Sequence, residues 1–203
     1  FVILANDNEG RLKDLVQRLE AQGIELYKNN SSIEVDQATY QTGDTVKKFN
    51  IPAGSLIIPN RQPDAPLVAA IMEFDAEFSK SVLIEERQKT LKDGSSIMYD
   101  TTAWNFSMMY GLPAVTVDQE ITSELTPWEI TSTLIELDSN ANAWAVNGHD
   151  DRSVAFAARL MEKNINVRII DKDSVLSRHE LSRGSVAVLA MDNLSHENLI
   201  NDI

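Results

Sequence analysis

One pattern occurs twice in this chain and governs what it can fold into: an apolar run, a polar turn, a helical stripe, a stop residue and a second apolar run. Phe1-Val-Ile-Leu-Ala5 is continuously apolar, as strands buried on both faces are. Asn6-Asp-Asn-Glu-Gly10 is polar and rich in residues that cap helices. Leu12, Leu15, Val16 and Leu19 then recur at i, i+3, i+4 and i+7, one helical face, and Gly23 supplies the residue that stops it. Ile24-Glu-Leu-Tyr27 resumes as a strand. This order predicts a βαβ unit over 1–28, with parallel strands and a right-handed crossover.

The pattern returns near the end of the chain. Ala143-Trp-Ala-Val146 reads as a strand and Asn147-Gly-His-Asp-Asp151 as a polar turn. Val154, Ala157, Ala158 and Met161 form a helical face, widened by Phe156 and Leu160, and Asn164 takes the stop position before Ile165–Ile170. A shift of 141 residues lays Arg18-Leu19 on Arg159-Leu160 and Gly23 on Asn164. A shift of 130 lays Gly54-Ser55 on Gly184-Ser185 and Leu56–Ile58 on Val186–Val188. Duplication of one unit and ordinary likeness between βα units both explain this. The expected fold class is α/β, two small parallel-sheet βαβ modules with a possible internal repeat.

Between the two occurrences, residues 29–50 read as a polar excursion with its tip at Gln41-Thr-Gly-Asp44. Leu56-Ile-Ile-Pro59 reads as a third strand and Ala114–Val117 as another. Pro66 opens a helix with the face Leu67, Ala70, Ile71, Phe74 and Phe78, and a charged helix over 80–92 ends at Asp93-Gly94. Residues 119–138 hold five acidic residues and no basic one, around Thr126-Pro127. That segment is the expected linker, between a module over 1–118 and a second over 139–203.

Composition narrows the chemistry. With 43% hydrophobic and 24% charged residues the chain is globular, and its net charge of −13 would repel phosphate backbones and anionic membrane surfaces. Nucleic acid and membrane insertion are therefore not expected, and no apolar run reaches the ~18 residues of a membrane span. The absence of cysteine removes thiol catalysis, thiolate metal sites and disulfides. His149, His179 and His196 start no H-x-x-E or H-E-x-x-H motif, so neither a metal nor a cofactor is expected in this chain. Gly184-Ser185 lacks the elbow of a serine nucleophile, and no catalytic residue is assigned. The acidic turns at Asn6–Glu9 and His149–Asp151 fit helix capping and lack a phosphate-cradling glycine pattern. The most distinctive stretch runs from Tyr99 to Gly111, where aromatics and methionines crowd around one Asp. It reads either as packing or as a ligand surface made by Tyr99, Asp100, Trp104 and Tyr110.

Two segments carry a resemblance. Ile51-Pro-Ala-Gly-Ser-Leu-Ile-Ile-Pro-Asn-Arg-Gln-Pro63 resembles the P-x-G-(S/T)-x-x-(V/I)…Q-P segment downstream of the catalytic domain in large bacterial zinc carboxypeptidases of the carboxypeptidase A superfamily. Tyr99-Asp-Thr-Thr-Ala-Trp104 resembles the Y-D-x-T-(A/G)-W element that follows it, and Tyr110-Gly111 its closing glycine. Order and spacing match over about residues 1–118, with a departure at Asn105-Phe-Ser107, where relatives have Leu-Pro. From residue 139 the chain resembles the class I glutamine amidotransferase-like (flavodoxin-like) modules appended to some of these peptidases.

The resemblance implies a non-catalytic accessory region, since the family's zinc-binding His-x-x-Glu, distant His, clamping Arg and catalytic Glu have no counterpart here. Zinc would sit in an upstream peptidase domain, the expected partner, and the chain reads as a piece of that longer protein. Export to the periplasm or secretion follows from the same likeness. Amidotransferase chemistry does not, because it needs a Cys nucleophile. The rival readings are an independent glycan or cell-wall binder using Tyr99, Trp104 and Tyr110, and a hydrolase on the amidotransferase-like fold.

Overall fold

A computed structural model describes residues 1–75, 78–98, 105–121, 123–129, 136–176 and 179–203. Contacts divide the chain into two compact units, Phe1–Asn6 with Asp14–Glu129, and Asp7–Lys13 with Ile130–Ile203.

The first unit is built on a seven-stranded sheet. In chain order its elements are β1 (Val2–Ile3), α1 (Glu9–Ala21, in this unit from Asp14), β2 (Tyr27–Asn29), β3 (Ile33–Tyr40), β4 (Thr45–Ile51) and β5 (Leu56–Ile57). Then come α2 (Ala65–Met72), α3 (Lys80–Asp93), α4 (Phe106–Met109), β6 (Ala114–Thr116) and β7 (Leu125–Pro127). The strand order is β4-β3-β6-β1-β5-β2-β7. Every neighbouring pair is antiparallel.

This overturns the parallel-sheet expectation. β1 and β2 do run the same way, because each is antiparallel to β5, but β5 lies between them and splits the βαβ unit. The reason is physical: a central strand is buried on both faces whichever way its neighbours run, so apolar content carries no direction. β7 falls within the acidic segment over 119–138 and pairs with β2.

The excursion over 29–50 is also a correction, since most of it is the β3–β4 hairpin. Its ladder runs from Ile33 opposite Ile51 to Thr39 opposite Thr45, but has no pair at Asp36 and Lys48. There Lys48 takes a positive φ of 53°, and the Asp36 N–H donates to the Gln119 side chain at 2.8 Å. The kink changes the phase of β3. Ile33 and Val35 are buried before it and Ala38 after it, and all three join Val2, Ile57 and Val115 in one core. A spacing of two, then three, defeats a period-two reading.

The helices follow their sequence to different degrees. α1 buries Leu12, Leu15, Val16 and Leu19, and Gly23 beyond it has φ 78°. α3 starts at an Ser79 cap that accepts from the Val82 N–H and stops at Gly94, φ 71°. α2 is apolar all round, so periodicity selects no side; it buries Val68 and Met72 rather than Ala70.

The second unit has a three-stranded antiparallel sheet of order β8-β12-β9, from β8 (Ala143–Val146), β9 (Arg168–Ile169) and β12 (Val186–Leu189). A hairpin of β10 (Ser174–Leu176) and β11 (His179–Leu181) stands beside it in sequence, and α5 (Arg152–Glu162) and α6 (Leu199–Asp202) complete the described elements. β12 separates β8 from β9 as β5 separates β1 from β2. α5 buries Ser153, Ala157 and Leu160, while Val154 and Met161 of the expected face are 72% and 63% exposed. Leu160, Ile165 and Val188 form the centre of this core.

The two units close the split motif with the same bonds. The Gly54 N–H donates to Asn29 O at 2.8 Å, and the Gly184 N–H to Ile170 O at 2.8 Å. Both glycines need positive φ, 85° and 90°. The buried Ser55 Oγ accepts from the Ala5 N–H at 3.1 Å and donates to Pro52 O at 2.8 Å. The buried Ser185 Oγ accepts from the Gly148 N–H at 2.9 Å and donates to Ser182 O at 2.7 Å. Ala5 thus corresponds to Gly148 rather than Val146, because the turns are equally long and α5, with 11 residues against 13 in α1, is two residues shorter.

Candidate binding site

The stretch singled out by its aromatics lies in the first unit. Tyr99, Asp100 and Trp104 fall outside the described residues; its described part begins again at Asn105. Upstream, Glu86 of α3 gathers the chain leading into it. Its carboxylate accepts from the Ser96 hydroxyl at 2.7 Å and from the N–H groups of Ile97 at 2.7 Å and Met98 at 3.2 Å. Those bonds, the Ser96 hydroxyl first, hold the Glu86 carboxyl below the usual range.

Downstream, Asn105 caps α4. Its extended backbone ends the preceding segment, and its Oδ1 accepts from the Met108 N–H at 2.8 Å and the Ser107 hydroxyl at 2.7 Å. Gln41, at the β3–β4 turn, donates from Nε2 to Ser107 Oγ at 2.6 Å and to Leu112 O at 3.0 Å. Asn105 and Ser107 are fully buried, and Asn105 Nδ2 has no hydrogen-bond partner among the described residues. Above this network Met108 and Met109 are each 49% exposed. Tyr110 is half-buried, its ring 6.4 Å from that of Phe106. The helix is held from below by amides and a hydroxyl and presents thioethers outward. Sequence reasoning reached Tyr110 but not Gln41, which read only as the start of the polar tip Gln41-Thr-Gly-Asp44.

Two of the cavities among the described residues lie in this unit. One, of about 400 Å³, is lined by Ile58, Arg61, Glu120 and Ile121 among others, with Arg61 and Glu120 at 3.8 Å. The other, of about 540 Å³, lies where the β3–β4 turn meets the residues after α2 and Thr116 of β6.

In the second unit the candidate chemical groups are engaged in structural bonds. Ser185 is buried with its hydroxyl doubly bonded. Asp150 accepts from the Arg152 N–H at 2.9 Å, a local turn bond, whereas the N-cap residue of α5 is Asp151 and makes no side-chain cap bond, so the expected capping is not seen there. Asp202 accepts from Lys163 Nζ and pairs with His196 Nε2, both at 2.8 Å, and its carboxyl is held low by Lys163 first and His196 second. Among the described residues no three His, Asp or Glu stand together to hold a metal ion, and no helix is long and apolar enough to cross a membrane.

Compared with known proteins, the chain matches no family model, no curated sequence and no solved structure.

Proposed function

We propose that this chain is a non-catalytic accessory region of a zinc metallocarboxypeptidase-like protein, exported to the periplasm or secreted, and that it docks on the peptidase domain through α4 and the segment before it. The proposal rests on the order of its motifs, Pro52-Ala-Gly-Ser55, then Tyr99–Trp104, then Tyr110-Gly111. One structural observation supports it most: α4 is anchored by Asn105, Ser107 and Gln41 yet exposes Met108 and Met109 side by side. Methionine is unbranched and polarisable, so it adapts to a partner surface without a fixed shape. Zinc and hydrolysis belong to the peptidase domain in this reading, and this chain shapes access to it.

The test is hydrogen exchange of the chain alone and in the presence of the upstream peptidase domain. Amides from Met98 to Tyr110 become slower on docking, and Met108→Ser with Met109→Ser abolishes the change. Equal exchange in both samples refutes the reading. A change of tryptophan fluorescence on adding cell-wall fragments instead, lost in Trp104→Ala, would favour glycan binding.

A further inference from the structure

We propose that the first unit carries a cation-binding site, independent of the docking reading: the cavity of about 540 Å³ beside the β3–β4 turn takes the guanidinium or ammonium group of an arginine or lysine side chain. Its volume suits one side chain with part of its backbone. Among the described residues ten line it, two of them, Glu73 and Asp75, acidic, and none of the ten is Lys, Arg or His. Both carboxylates follow the last turn of α2, whose end carries the negative pole of the helix dipole. The net charge of −13 adds a long-range attraction for cations.

Among the described residues of the lining no basic side chain competes for this space, and the Phe1 nitrogen is turned to Ile58 O at 2.9 Å.

The rest of the lining suits a cation with an apolar stem. Phe74 contributes aromatic surface, its ring edge-on to that of Phe1 at 6.0 Å, while the Tyr40 ring packs toward Phe49 and the core around Val115. A cation near such a ring gains from its quadrupole, and methylenes pack on its area. Gln41 uses Nε2 for Ser107 and Leu112, which leaves its carbonyl oxygen as a neutral acceptor on a fixed rim. Thr39, Thr42 and Thr116 complete the polar lining, the Thr39 hydroxyl bonded to that of Thr45 at 3.2 Å and the Thr42 hydroxyl donating to Asp44 at 2.8 Å. A bare divalent cation fits this lining poorly, since it wants six or more oxygen ligands and gains nothing from aromatic walls.

The test titrates the isotope-labelled 203-residue chain with N-acetyl-arginine amide, N-acetyl-lysine amide and, as a neutral comparison, N-acetyl-glutamine amide. The cationic amides shift the resonances of Tyr40, Gln41, Gly43 and Thr116 saturably, and added salt weakens the effect. Agmatine in place of the arginine amide separates recognition of the head group from recognition of the peptide around it. Glu73→Gln with Asp75→Asn weakens binding at least about fivefold, as loss of two surface charge contacts should. Phe74→Leu weakens it without altering charge, and Glu120→Gln at the other cavity leaves it unchanged. Absence of saturable shifts, equal binding of the glutamine amide, or full affinity in the double variant overturns the proposal. Unchanged spectra of the unliganded variants show that the fold survives.

Discussion

Replacing Ser55 by alanine tests the account of how the split motif is closed. The Oγ is fully buried and makes two bonds, accepting from the Ala5 N–H at 3.1 Å and donating to Pro52 O at 2.8 Å. Alanine keeps the volume nearly unchanged, so cavity formation contributes little and the hydrogen bonds dominate. A buried group left without its partner costs about 1–3 kcal/mol. Ala5 is itself exposed, so water replaces part of its bond, whereas Pro52 O keeps the Asn29 Nδ2 donor at 2.8 Å. Both facts pull the expected loss to the lower half of that range, about 1–2 kcal/mol. With a urea m-value near ~2 kcal/mol/M, the midpoint falls by roughly 0.5–1 M. Ser185→Ala removes the corresponding pair of bonds in the second unit and is expected to lose a similar amount. The assay is urea denaturation followed by far-UV circular dichroism, with the exposed Ser195→Ala as the reference substitution. A change in either buried-serine variant no larger than in Ser195→Ala, within about 0.5 kcal/mol of wild type, would falsify the reasoning.

Gly148→Ala places a Cβ 2.5 Å from the Gly184 carbonyl carbon and 2.6 Å from the Ser185 nitrogen, backbone atoms that cannot step aside; thermal denaturation should show a loss of about 3 kcal/mol or more. Lys48→Gly relieves a positive φ in a residue with a side chain, and equilibrium unfolding should show a gain of about 0.5–1 kcal/mol.

Local elements could be read from the residues, and their assembly could not. The stripe Leu12, Leu15, Val16, Leu19 and the stop at Gly23 define α1 because helical spacing and left-handed backbone are both properties of a few neighbouring residues. Gly94 ends α3 for the same reason. Strand direction is different. β5 has two residues and β12 four, and nothing in their apolar side chains says whether the neighbour runs with or against them. The hairpin was hidden by its own kink, since Ile33, Val35 and Ala38 break the alternation that marks a strand. In the candidate site, Tyr110 announced itself by type, whereas Gln41 acquires its role only when the turn reaches Ser107, 66 positions away in the chain. On α5 a broad apolar surface permitted several faces, and packing on the sheet selected Leu160 over Val154 and Met161.

The kink at Lys48 bears on what can happen at high concentration. β4 is an outer strand of the seven-stranded sheet. A regular outer strand is an open invitation to a second chain, whose backbone can zip along it. Here a newcomer would meet an interrupted row of donors and acceptors, with Lys47 and Lys48 adjacent and exposed at the break. The left-handed lysine thus weakens the folded chain slightly while keeping copies from joining edge to edge. Glycine at that position would hold the same positive φ without strain, so it would keep the break and remove only one of the two edge charges.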